Sequence, residues 1–170
     1  SPPLRLEGST SILAVRYALP EQTLTHGELE ARFGSDTMKR VLFGTGIRQR
    51  RVAPEGVCGS DFACEAASQL LREEGIDRDS IDLLIMCTQT PDYFLPTTAC
   101  MLHERLGLKK GCACFDINLG CSQYVYALSV AHSMIAAGVA TRALVLTGDT
   151  LSRTLHPQDK AVVPLLGDGG

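Results

Sequence analysis

Apolar and polar positions follow two rhythms along this chain. Short unbroken apolar runs such as "IDLLIMCT" (81–88) have the length and flanks of buried strands. Between such runs, apolar residues recur every three or four positions. In "SDFACEAASQLLREEG", Phe62, Ala63, Ala66, Ala67, Leu70 and Leu71 share one helical face, and Gly75 stops the helix. "THGELEARFG" places Thr25 and Glu28 at capping-box spacing and predicts a short helix, with Ser35 as the cap of a second that ends near Gly44. "LRLEGSTSILAVRYALP" reads as a first strand or hairpin, and "GIRQRRV" as an exposed strand or loop.

Further along, "TTACMLHERLG" predicts a helix and "CACFDI" a strand. "RALVLTGD" (142–149) and "AVVPLLG" (161–167) read as two more strands. Strands alternating with helices predict an α/β fold with a mostly parallel sheet. The segment between Tyr124 and Ala137 is apolar on nearly every side, interrupted only by Ser129, His132 and Ser133. Such a helix is expected to be buried all round.

The 170 residues suffice for one domain with a single sizeable core, and 45% hydrophobic content argues against disorder. A net charge of −3 without a long run of one sign argues against nucleic-acid binding. No apolar stretch is long enough to span a bilayer and the start does not read as a signal peptide, so no membrane partner and a cytoplasmic location are expected. The chain starts without Met and stops at "LLGDGG" after an apolar run, which suggests a fragment.

Seven cysteines, at 58, 64, 87, 100, 112, 114 and 121, are an odd count, and several sit in apolar runs. Buried free thiols in a reducing compartment fit this pattern better than disulfides. "CAC" at 112–114 has no second ligand pair nearby, so no metal is expected. Cys121 stands apart from the other six. It follows Gly120, which permits a tight strand-to-helix turn, and it heads the apolar helix. Free N–H groups and the helix dipole at that end lower a thiol's pKa and can hold an oxyanion. A catalytic nucleophile on a turn like the hydrolase elbow is one reading, and a small thiol filling space is the other.

A nucleophilic cysteine usually works with a base. His132 lies eleven residues on, roughly 16 Å along a helix axis, out of reach of Cys121. His26 belongs to a capping sequence, His103 to a helix and His156 to a loop. The base is therefore expected beyond residue 170, unless Cys121 works differently.

Four segments in order, "GTGIRQRR" (44–51), "FLPTTAC" (94–100), "FDINLGCSQYVYALSVA" (115–131) and "GDTLSRTLHPQD...LLGDGG" (148–170), resemble the β-ketoacyl-acyl-carrier-protein synthase III family of the thiolase superfamily. The resemblance covers essentially the whole chain. It implies that residues 1–170 are the amino-terminal half of a thiolase-like fold, with a buried central helix starting at Cys121 and the carboxy-terminal half absent. It further implies a decarboxylative Claisen condensation. An acyl group passes from coenzyme A, a substrate rather than a cofactor, to Cys121. Malonyl on acyl-carrier protein then loses carbon dioxide and attacks the acyl-cysteine. The catalytic His and Asn of family members come from the other half.

By the same resemblance, Arg153 matches an arginine at the adenine end of coenzyme A; read alone, it is a solvated loop arginine. Leu95 matches a residue that crosses a dimer interface to shape the acyl pocket; read alone, it is a core leucine under a turn. Arg48, Arg50 and Arg51 suit phosphates or the acidic carrier protein, or else form a plain exposed edge. A homodimer is implied, with the strand matching "RALVLTGD" paired across a two-fold axis. The chain also departs from the family pattern. An adenine-stacking aromatic is missing near Arg40, and Gly44 stands where a phosphate-contacting arginine would. Gln123 stands among residues that are usually small, with consequences for the acyl pocket. These departures point away from acetyl-coenzyme A as primer, towards another acyl donor or a carrier-protein donor. Acyl transfer to an oxygen or nitrogen acceptor and a non-catalytic partner subunit are the rival readings; a retained Cys121 speaks against the second.

Overall fold

A computed structural model describes residues 10–170. Ten regular elements follow in chain order: β1 (Thr23–Thr25), α1 (His26–Phe33), α2 (Ser35–Thr45), β2 (Gln49–Arg51), α3 (Gly59–Glu73), β3 (Leu83–Cys87), α4 (Thr98–Leu106), β4 (Ala113–Ile117), α5 (Gln123–Ala136) and β5 (Ala143–Thr147). The strand–helix alternation read from the sequence is present. β3 is the middle strand, paired in parallel with β4 on one side and β5 on the other. All five β3 residues are buried, as an unbroken apolar run covered on both faces requires.

Helices cover the two faces of this sheet. On one side α3 and α4 enclose a core of Ala63, Ala67, Leu71, Leu84, Met86 and Leu102. On the other, α5 lays Ala127 and Ala131 against Leu83, Ile85 and Cys87. Two alanines one turn apart let the helix axis approach the strands closely. The result is a three-layer α/β arrangement, with β1 and β2 forming a separate antiparallel pair.

Local signals explain the ends of several elements. At α1, Thr25 Oγ1 accepts from Glu28 N, and the Glu28 carboxylate accepts from Thr25 N at 2.7 Å, so the capping box forms as its spacing implies. The start of α4 is capped from outside its own segment. The Asp116 carboxylate, on β4, accepts from Thr98 N at 2.8 Å and Ala99 N at 2.7 Å. Ser35 is the first residue of α2 rather than its cap, which is Gly34.

Three further expectations differ from the structure. Residues 161–167 form no strand. The Asp159 carboxylate takes up Ala161 N and Val162 N, and Val163 N donates to Asp159 O, which closes a turn ahead of Pro164. Of the first strand or hairpin expected over residues 4–20, part lies outside the described residues. Residues 10–20 form no ladder, although Ala18 and Gly170 exchange backbone hydrogen bonds of 2.8 and 3.0 Å. Lastly, α5 begins at Gln123 and is buried on its sheet-facing side alone. Tyr124, Val125 and Tyr126 are exposed, Val125 to 66%. Apolar composition sets a helix's need for cover, and nothing among the described residues covers that outer face.

Candidate active site

The link from β4 to α5 is short: Asn118, Leu119, then a 3-10 turn over Gly120–Ser122. Gly120 has φ +66°, in the left-handed region where a side chain is strained. A Cβ there would also come within 3.3 Å of the Gln89 amide nitrogen. Glycine at 120 thus lets the chain reverse sharply and lets Gln89 stand against the turn. Cys121 follows, exposed, two residues ahead of the 14-residue α5.

Ser122, at the helix N-cap position, makes no side-chain cap to α5; its hydroxyl donates back to Leu119 O at 3.4 Å. The first-turn N–H groups are therefore left free of a capping side chain. With the helix dipole behind them, these donors suit the negative charge that develops when a thiolate adds to a carbonyl.

Cys121 opens into a cleft of about 400 Å³, also lined by Gln89, Gly120, Gln123, Tyr124, Gly148 and Asp149. Asp149 follows β5 and organises the facing wall. Its Oδ1 accepts from Thr88 Oγ1 (2.9 Å), Gln89 N (2.7 Å), Thr90 N (3.0 Å) and Thr90 Oγ1 (2.9 Å). The loop after β3 is thereby tied to the end of β5. The two glycines that bring α3 and β5 together here leave no room for side chains. A Cβ on Gly148 would lie 2.6 Å from the Gly59 carbonyl oxygen. Sequence reading singled out neither Gln89 nor Asp149. The signal available was polar "TQT" after a buried strand and "GD" after another, a pairing that only the parallel register reveals.

Gln123, the first residue of α5, is 8% exposed. Its Oε1 is enclosed and has no hydrogen-bond partner among the described residues. Below it, Cys87 Sγ lies 3.7 Å from the Gln123 carbonyl oxygen. Burial, then the Asp116 and Asp149 carboxylates, push the Cys87 thiol up to about 11. Cys114 is likewise pushed up to about 11, first by burial and then by Cys100, whose sulfur is 3.5 Å away. These sulfurs stay protonated at neutral pH and are poor nucleophiles.

The remaining predicted residues lie apart from the cleft. Arg153 Nη2 donates to Pro54 O at 2.6 Å, and its Nη1 lies 3.8 Å from Cys58 Sγ, so the guanidinium ties two loops together. Arg48 is exposed at the edge of β2. An exposed triplet of arginines is not what the structure contains. Arg50 is 4% exposed and donates to Pro164 O, and Arg51 donates to the carbonyls of Pro20 and Glu21. Alternation along β2 turns the middle residue inward. Leu95 is 81% exposed beside Phe94, so it is no core leucine. Among the described residues no histidine lines the cleft. His132 Nδ1 pairs with the Thr10 hydroxyl at 2.7 Å, and His103 Nε2 with Lys109 O at 3.0 Å. Among the described residues no helix is long and apolar enough to cross a membrane.

Comparison with known proteins places this geometry among relatives. A family profile described as 3-oxoacyl-[acyl-carrier-protein] synthase III matches residues 115–170, the stretch containing the cysteine turn. The chain is 42% identical over 159 residues to the β-ketoacyl-[acyl-carrier-protein] synthase III of Alkalilimnicola ehrlichii, covering 93% of this chain and 49% of that protein. It is 41% identical over 151 residues to the enzyme of the same name from Xylella fastidiosa, covering 89% and 46%. A crystal structure of a 3-oxoacyl-(acyl-carrier-protein) synthase III superposes with a TM-score of 0.88 at 45% identity, over 94% of this chain and 47% of the other. The chain thus spans about half the length of the curated relatives it matches.

Proposed function

Because the chain belongs to the β-ketoacyl-acyl-carrier-protein synthase III family, we propose that it is the amino-terminal half of an acyl-transferring condensing enzyme with Cys121 as its acyl-carrying nucleophile. One observation carries this reading: of seven cysteines, Cys121 is the one exposed at a glycine turn before a long helix and opening into a cleft.

The chemistry follows from that position. The Cys121 thiolate attacks the carbonyl carbon of an acyl thioester, and the oxyanion is held by N–H groups at the start of α5. The bond from that carbon to the donor's sulfur breaks, and the departing thiolate takes up a proton. Malonyl-acyl-carrier protein then loses carbon dioxide, and the resulting carbanion equivalent attacks the acyl-cysteine. The carbon–sulfur bond breaks, Cys121 is regenerated, and a β-ketoacyl thioester leaves. The base and the electrophilic donors for the second step belong to the other half, in keeping with a cleft that no histidine lines among the described residues.

The exposed outer face of α5 supports the half-fold reading, since Tyr124, Val125 and Tyr126 form the kind of apolar surface a second half would cover. Leu95 and Phe94, exposed together on the loop before α4, suit a contact with a second copy in a homodimer. Arg48 is proposed to meet the phosphates of coenzyme A or the carrier protein, and Arg153, after release from Pro54, the adenine end of coenzyme A.

The test uses the full-length protein with an acyl-coenzyme A donor and malonyl-acyl-carrier protein. Release of carbon dioxide together with a β-ketoacyl product is expected. Acyl transfer to an oxygen or nitrogen acceptor without carbon dioxide would overturn the condensation.

A further inference from the structure

Gln123 presents a polar group that the fold itself does not use. Its side chain is more than nine-tenths buried, it lines the cleft beside Cys121, and its Oε1 has no partner among the described residues. Buried carbonyl oxygens are nearly always paired, and leaving one unpaired is costly. One residue, Ser122, separates it from Cys121, so the two Cα atoms lie within about 7 Å. An acyl group on Cys121 would therefore place its first few carbons beside the Gln123 side chain, and a turn of the carboxamide about its soft terminal torsion would bring the enclosed Oε1 to them. On the facing wall, Gln89 adds a second carboxamide to the same cleft.

Resting on the acyl-Cys121 reading, we infer that Gln123 selects an acyl group carrying a hydrogen-bond donor close to the thioester carbonyl, a hydroxyl or amino group rather than a plain alkyl chain. Oε1 can only accept, so the complementary feature on the substrate is an O–H or N–H. A plain chain would occupy the same space and leave the acceptor unpaired in both the free and acylated states. A hydroxylated chain would satisfy it once the acyl-enzyme forms. The transfer is unchanged in its balance: Cys121 sulfur bonds the acyl carbon, the coenzyme A sulfur leaves, and its thiolate is protonated.

The experiment compares 3-hydroxybutyryl-coenzyme A with butyryl-coenzyme A, which differ by one hydroxyl. Full-length wild-type protein, Gln123→Met and Gln123→Glu are mixed with each donor in a single turnover, and release of coenzyme A thiol is followed. The mass of the Cys121 peptide is determined in parallel. Wild type is expected to acylate with the hydroxylated donor about ten-fold faster or more. The ratio is expected to fall to about one in Gln123→Met, which keeps the length but loses the acceptor. It persists in Gln123→Glu, which keeps an acceptor. Equal rates in wild type, or a ratio unchanged in Gln123→Met, would overturn the inference while leaving acyl-Cys121 intact. Absence of any adduct at Cys121 with either donor would overturn both.

Discussion

Asp149 and Thr90 are joined twice through one oxygen: Oδ1 of Asp149 accepts the Thr90 backbone N–H at 3.0 Å and its hydroxyl at 2.9 Å. The same oxygen holds Thr88 and Gln89, so one carboxylate fixes the loop that forms the cleft wall opposite Cys121. Asp149→Ala leaves four donors without this acceptor. A loss of about 2–3 kcal/mol is expected in denaturant unfolding of the full-length protein. Asp149→Asn retains a carbonyl oxygen and is expected to cost less.

The turn before Cys121 offers a second prediction. Gly120→Ala puts a side chain at φ +66° and pushes its Cβ towards Gln89. The backbone term alone is expected to cost about 1–2 kcal/mol. Displacement of Cys121 relative to the first N–H groups of α5 slows acylation by at least about ten-fold. Stopped-flow acylation together with a thermal melt separates the two effects. A variant that acylates at the wild-type rate would show that the turn geometry is not required.

Far from the cleft, Asp82 joins the ends of β4 and β5 to β3. Its carboxylate takes hydrogen bonds from Lys109 Nζ, from Thr141 through both hydroxyl and backbone N–H, and from Arg142 N. Lys109, foremost, then Thr141 hold this carboxyl well below the usual range. The folded state thus favours the ionised form. Its stabilising contribution is fully present above the unfolded carboxylate pKa, near about 4, and is lost as pH falls below that value. Denaturant midpoints measured from pH 7 to pH 3 are expected to fall more steeply for wild type than for Asp82→Asn. Parallel curves would contradict this.

Cys87 tests the distinction between the thiols. Buried in β3 and pushed up to about 11, it is expected to resist iodoacetamide in native protein at pH 8. It becomes reactive only on unfolding or in strongly alkaline solution. Peptide mapping after a timed pulse would reveal modification at Cys87 directly, and rapid native labelling there would contradict the assignment.

How much of this was legible beforehand depended on how local each signal was. Thr25 and Glu28 announced α1 because a capping box lies within one turn of chain. "LLIMC" announced β3 because a strand covered on both faces needs no polar alternation. "AVVPLLG" has a similar composition yet is a turn, since Asp159 intercepts its N–H groups before a ladder can form. Arg50 was hidden because a three-residue strand is too short for its alternation to be read. The outer face of α5 was misjudged for a different reason. Composition states that a helix wants cover and is silent on where the cover comes from. At the candidate site, the place of Cys121 at the turn before α5 was legible from Gly120 and the apolar run behind it, with the flanking segments adding the family. Gln89 and Asp149 were not, because the contact that makes them matter joins residues sixty positions apart.

The account stands most directly on the chemistry of one sulfur. Full-length protein incubated with short acyl-coenzyme A donors, plain and hydroxylated, is digested and the Cys121 peptide weighed. The expected result is a mass increase equal to one acyl group on that peptide, absent from the other six cysteines and abolished in Cys121→Ala. Folded protein that releases no coenzyme A and carries no acyl group at Cys121 with any donor would contradict it.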